Sequence, residues 1–89
     1  MSWVYVLWSK KLRKRYVGST DRIEHRLTEH NSGRSPFTSR GIPWVLIHSE
    51  KCESILEAKK RERFLKSGVG RKWLDENCQK YWRDARAVE

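Results

Sequence analysis

Five side chains in this sequence could carry one reaction between them. Tyr5 lies in Trp3-Val4-Tyr5-Val6-Leu7, and Tyr16, eleven residues later, lies in Arg15-Tyr16-Val17-Gly18-Ser19. Arg26 and His30 follow, four residues apart on an expected helix. Glu62 falls between Ile55, Ala58 and Leu65 in the apolar line of a later helix. A carboxylate ligates a hard divalent cation, and a planar guanidinium matches phosphate oxygens in pairs. Two tyrosines, an arginine, a histidine and a glutamate can therefore hold one divalent metal and one phosphate, a set that points to phosphodiester cleavage. A phenol ordinarily titrates near pH 10, so either tyrosine could serve as a base only where a metal or cation lowers that value.

Each of these residues also has a plain structural role open to it. Tyrosine is a favoured strand residue. Arg26 could lay its stem along the core with its charge in water, while His30 caps the helix. Glu62 could lean out to solvent or pair with a lysine. What sharpens the reading is placement. Arg26 and His30 share a helix side with Ile23 and Leu27, where charged groups are costly unless paired or set at a cleft.

The elements that must position these side chains are legible from pattern. Residues 2–8 and 15–18 read as two strands of an antiparallel hairpin joined by the basic connection Lys10 to Lys14. Asp21 with Glu24 makes a capping-box pattern for a helix over 22–31 that stops near Gly33. Residues 34–42 are polar, with Pro36 and Gly41, and form a loop with room for one short helical turn. Trp44 to His48 reads as a third strand. A long helix begins at Cys52 or Glu53 and ends by Gly68, Gly68-Val69-Gly70 breaks the chain, and Arg71 to Arg83 forms a last helix. The fold class is α+β: a small three-stranded antiparallel sheet flanked by helices in the order β-β-α-β-α-α. At 89 residues one domain, 1–89, is expected.

Composition narrows the partner. Twenty Lys and Arg against eleven Asp and Glu leave a net charge of +9. Such an excess suggests a polyanion, most often nucleic acid, with a merely soluble basic protein as the bland alternative. Trp73, Tyr81 and Trp82 interleave with Arg71, Lys72, Lys80 and Arg83, a pattern able to stack on bases or to fill a core. Cys52 and Cys78 form no C-x-x-C pair and read as reduced thiols of a cytoplasmic protein. No signal peptide and no membrane span are expected. His25, His30 and His48 lack zinc-like spacing, Ser19 and Ser49 have no visible base, and no phosphate-binding P-loop is present.

These residues resemble the GIY-YIG nuclease superfamily over nearly the whole chain. Trp3-Val4-Tyr5 stands where the family has Gly-Ile-Tyr, and Tyr16-Val17-Gly18 where it has Tyr-Ile-Gly. Arg26 matches the family's catalytic arginine, His30 a histidine one turn later in some members, and Glu62 the metal-binding glutamate. His30-Asn31-Ser32-Gly33, Thr38, Arg40, Gly41, Pro43, Glu57-Ala58 and Arg61-Glu62 look like a small stand-alone bacterial subgroup. That subgroup is related to the N-terminal domain of the excinuclease component that makes an incision in nucleotide excision repair. The first element departs from the pattern at Trp3 and Val4. The family's late asparagine has Leu74 at its position, with Asn77 nearest.

The resemblance implies one Mg2+ or Mn2+ held mainly by Glu62, and water attacking phosphorus with Arg26 stabilising the charge. It further implies that Tyr5 or Tyr16 orients or deprotonates that water, that His30 assists, and that Gly18 allows close backbone approach. Arg40, Lys66, Arg71 and Asn77 are the expected substrate contacts. DNA, bound through its backbone with little sequence preference, is the expected partner, and targeting would come from the basic surface or from a protein partner. Three readings follow: a metal-dependent endonuclease linked to repair or recombination, a nucleic-acid-binding module without turnover, and an adaptor in a repair complex.

Overall fold

A computed structural model describes residues 1–78. Strands β1 (Ser2–Ser9), β2 (Lys14–Thr20) and β3 (Trp44–Cys52) form one antiparallel sheet in the order β2-β1-β3. Helices α1 (Ile23–Asn31), α2 (Ile55–Lys66) and α3 (Gly68–Asn77) pack on it, and a 3-10 turn, η1, covers Ser39–Gly41. The β-β-α-β-α-α order and the α+β class are those expected. The part of the last helix anticipated beyond Cys78, with Lys80, Tyr81, Trp82 and Arg83, lies outside the described residues.

Because β1 is central, its side chains feed two cores. Val4 and Val6 join Val17, Ile47, Leu65, Leu74 and Cys78 under α2 and α3. Tyr5 and Leu7 join Trp44 on the other face, covered in part by Ile23 and Leu27 of α1. The alternation of a strand thus assigns the two tyrosines to one face and the aliphatic core to the other. Arg61 fixes α2 to the sheet with two bonds to Glu50 of β3, at 2.8 and 3.1 Å. Its guanidinium also lies over the rings of Phe64 and Trp73.

Several boundaries, and the placement of Ile55, differ from expectation. The N-cap of α1 is Arg22, not Asp21, and no side chain caps it. The chain leaves β2 at Thr20, whose hydroxyl takes the Arg22 N–H at 3.1 Å, so the capping box does not form. Strand β3 runs four residues further, to Cys52. A bulge opposite Val6 and Leu7 keeps it paired, placing Ile47 and His48 both on the α2/α3 side. Helix α2 starts later because Ser54, not Cys52 or Glu53, caps it by accepting the Glu57 N–H at 3.2 Å. Ser67 rather than the glycine pair separates α2 from α3. It caps α3 through the Gly70 N–H, so Gly68-Val69-Gly70 forms the first turn of that helix. A Cβ at Gly70 would run into the backbone of Phe64 and Leu65, which is why the interhelix corner can be so tight. Finally, Ile55 is 45% exposed and is not part of the buried line of α2. It borders an open cleft with Met1, Ser19, Thr20 and Lys59.

Candidate active site

The site is built around Tyr5, which pairs with Gly18 across the β1–β2 ladder. A Cβ on Gly18 would sit 2.5 Å from the Tyr5 hydroxyl, so only glycine lets the phenol lie flat across the neighbouring strand. What approaches the Gly18 backbone is therefore the Tyr5 ring. The Tyr5 hydroxyl meets His30 Nε2 at 2.9 Å, and His30 Nδ1 meets Thr38 Oγ1 at 2.7 Å. Thr38 in turn donates to the Ser35 carbonyl at 3.5 Å. One proton arrangement satisfies every member: Thr38 gives its hydroxyl proton to Ser35 and accepts Nδ1–H, leaving Nε2 to accept from Tyr5.

His30 has no solvent exposure, and burial, helped by the charge of Arg26, pushes its pKa down to about 4. It is a neutral acceptor at physiological pH. Burial, reinforced by Tyr16, pushes Tyr5 up to about 12, even though Arg26 works in the opposite direction. Tyr5 is thus a protonated donor. The two phenols differ in setting: Tyr5 is buried, whereas Tyr16 is half-exposed, with its ring edge-on to those of His30 and Trp44.

Arg26 joins the group from α1, and its charge acts on both phenols. Burial acts against its charge, but the phenols outweigh it and hold the pKa above the ordinary arginine value. Glu29 pairs with it at 3.5 Å one helical turn on. Tyr5, Tyr16 and His30 are therefore in mutual contact on one sheet face, with the charge of Arg26 acting on all three.

Glu62 comes from the opposite face. Its Oε1 accepts from Ser19 of β2 at 2.7 Å and its Oε2 pairs with Lys66 at 2.6 Å. Burial works to raise its pKa, but the Lys66 and Ser19 bonds prevail and hold it below the usual carboxylate range, so the acid is ionised. Its charge is felt at the Tyr5 phenol. Ser19 and Gly18 are adjacent on the edge strand and project to opposite faces, so β2 is where the acid and the tyrosine group meet. The lysine pairing entertained from sequence is present, and it coexists with the placement beside the site.

The donor set fits one kind of metal only. Among the described residues no three His, Cys, Asp or Glu side chains cluster. A lone ionised carboxylate whose oxygens keep free lone pairs suits a hard cation that retains most of its waters, as Mg2+ does.

The remaining expected contacts are scattered. Lys66 is spent on Glu62. Arg40 is exposed on η1. Arg71 is exposed on α3, its carbonyl accepting from Arg15 at 3.4 Å. Asn77 bonds the Trp73 carbonyl of its own helix at 2.8 Å. Other residues assume supporting roles that residue type alone did not disclose. Ser19 holds Glu62 and Thr38 holds His30. Asn31 fixes Trp44 by accepting its N–H at 2.6 Å and donating to its carbonyl at 3.0 Å. The Trp44 indole then donates to the Thr38 carbonyl at 2.6 Å. Asn31 and Thr38 stood within the family-like stretch, which was the available signal for both.

A tyrosine pair, an arginine and a histidine on a three-stranded sheet, with a helix-borne glutamate at its edge, define a nuclease-type catalytic domain. A family model for the GIY-YIG catalytic domain matches residues 1–74, and the chain belongs to that family. It is 38% identical over 53 residues to a UPF0213 protein of Natronomonas pharaonis, covering 58% of this chain and 62% of the relative. It is 37% identical over 67 residues to a UPF0213 protein of Syntrophus aciditrophicus, covering 73% of this chain and 76% of the relative. To a UPF0213 protein of Enterococcus faecalis it is 44% identical over 54 residues, or 57% of this chain and 61% of the relative. The chain thus spans about three fifths of the length of two of these relatives. No solved structure matches.

Proposed function

We propose that this chain is a divalent-metal-dependent endonuclease that hydrolyses DNA phosphodiesters, acting in the cytoplasm as one domain over residues 1–89 in DNA repair or recombination. The observation that supports this best is the setting of Arg26: a guanidinium whose charge acts on two phenols at the strand edge that Glu62 reaches from the other side. The charges of Arg26 and Glu62, borne on helices on opposite faces of the sheet, both act on the Tyr5 phenol.

The roles divide by environment. Arg26 donates to a non-bridging phosphate oxygen as charge builds in the transition state. Tyr5, held protonated by burial and bonded to neutral His30, fixes the position of Arg26. Tyr16, the solvent-facing phenol, orients the attacking water and is the candidate to take its proton. Glu62, steadied by Ser19, would hold Mg2+ or Mn2+. That cation would supply Lewis acidity and charge neutralisation at the phosphate. Exposed Arg40 and Arg71 add backbone contacts, giving weak sequence preference and strong salt dependence. Targeting falls to this basic surface or to a protein partner.

The Glu62–Lys66 pair favours a second reading, a DNA-binding module whose acid is already neutralised. A nicking assay on supercoiled, branched and single-stranded DNA, with and without Mg2+ or Mn2+, separates the two. Metal-dependent cleavage is expected, and Arg26→Ala should reduce its single-turnover rate roughly a hundredfold or more, the loss typical of one preorganised donor, while affinity falls little. Arg26→Lys should rescue poorly, because an ammonium lacks the planar fork. Binding without cleavage on every substrate would establish the module instead.

A further inference from the structure

Phe37 is 87% exposed, although residues on both sides of it in the same loop are locked into the protein. Ser35 and Thr38 are buried, and the turn between them is held from within. The Thr38 and Ser39 N–H groups both reach the Ser35 carbonyl, at 3.2 and 3.0 Å. Ser39 Oγ bonds the Pro36 carbonyl at 3.2 Å, and the Thr38 carbonyl accepts from the Trp44 indole. A turn with buried ends and an outward tip keeps its ring at the surface. An exposed aromatic ring offers a π-face on which a base can stack. Arg34 and Arg40, both exposed, flank the ring in sequence. An aromatic face between guanidinium groups is the chemistry that receives a nucleobase and its neighbouring phosphates.

The tip is also coupled to the site. Thr38, the residue after Phe37, holds His30, which holds Tyr5. A base on Phe37 would therefore sit on the same loop that positions His30 and, through it, Tyr5. In intact duplex both faces of each base are covered by stacked neighbours, so the ring can meet a base face only where a base is unpaired or the stack ends.

We propose that Phe37, flanked by Arg34 and Arg40, stacks on an unpaired base of the DNA and so selects single-stranded, gapped or branched substrates over continuous duplex. This rests on the reading of the chain as a DNA-cleaving protein, and names the substrate class of that same site.

The test uses the full chain in EDTA, so that no cleavage occurs. Two DNAs are compared: a continuous duplex, and the same duplex with a short gap carrying 2-aminopurine in the unpaired stretch. The wild type should bind the gapped DNA roughly tenfold more tightly, within the range that stacking of one base supplies, and should quench the 2-aminopurine fluorescence. Phe37→Ala should lose both effects while keeping duplex affinity and melting temperature, and Phe37→Trp should retain both. Equal affinity of the wild type for the two DNAs, or a preference that survives in Phe37→Ala, overturns the proposal. So does a dimer of the wild type that dissociates in Phe37→Ala, since the ring would then cover a second copy. If quenching is seen but no DNA is cut when Mg2+ or Mn2+ is restored, the stacking role stands and the nuclease reading falls.

Discussion

The two faces of the sheet are organised on different principles. Under α2 and α3 the fully buried contacts are mainly aliphatic: Val4, Val6, Val17, Ile47, Leu65 and Leu74 exclude water, with the Arg61–Glu50 pair at their margin. Under α1 the buried groups are Tyr5, His30 and Thr38, joined by directed hydrogen bonds, with Trp44 sealing the end. The first face derives its stability from area removed from water. The second also buries Leu7 and Trp44, but in addition must satisfy every donor, because an unpaired buried polar group is expensive. A small domain can thus spend one side of its sheet on folding and keep the other for chemistry. Glu62, held by Ser19 on the aliphatic side, acts through its charge on Tyr5 of the other.

If that division is real, substitutions on the two faces should fail in different assays. The most severe is expected at the crossing point. Glu62→Gln should abolish metal-dependent cleavage and Mn2+ binding followed by electron paramagnetic resonance, with only a small change in melting temperature. A large loss of stability with Mn2+ binding preserved would make Glu62 a structural partner of Lys66 instead. On the aliphatic face, Leu65→Ala should cost about 2–5 kcal/mol of stability in denaturant titrations, with the cleavage rate per folded molecule unchanged.

On the polar face the expected sensitivity is to acid. His30 has its pKa in the folded chain near 4, below its ordinary 6.5. The unfolded chain therefore binds the proton first, and stability present above pH 6.5 is lost as pH falls towards 4. The difference corresponds to about 3 kcal/mol. Thermal melts across that window should show the slope, and His30→Gln should flatten it. The smallest effect comes from Gly18→Ala. Its methyl group would push on the Tyr5 hydroxyl and cost about 1–3 kcal/mol, together with a loss of cleavage as Tyr5 leaves His30. An unaffected Tyr5–His30 contact, followed through the histidine's NMR titration, would count against the Gly18 argument.

The parts legible in the sequence were those that repeat. Strand alternation in β1 and β2 and the four-residue spacing of Arg26 and His30 in α1 brought their side chains to one face as expected. Single contacts between distant segments were not legible. Ser54 and Ser67 cap α2 and α3, where Gly68 and Gly70 are the louder local signals and Asp21 a better cap by type than Arg22. Nothing local in Ser49 to Cys52 announces that β3 continues, because its pairing with Ser2 to Tyr5 supplies the order. The apolar spacing of α2 included Ile55, but the sheet ends before it, so the periodicity outran the surface available to cover it. Thr38 is one small polar residue among several in its loop, and its role depends on where His30 lands.

The pairing of Glu62 with Lys66 has a bearing on the sequence of events. The acid is already matched by an ammonium at 2.6 Å, so its charge is partly offset. On the proposed reading an arriving phosphate would meet a paired anion instead of a bare one. On the proposed metal-dependent reading, a cation at Glu62 would have to displace Lys66, so the pair would lower the affinity for the ion, and a docked phosphate that offered the lysine a new partner would ease the exchange.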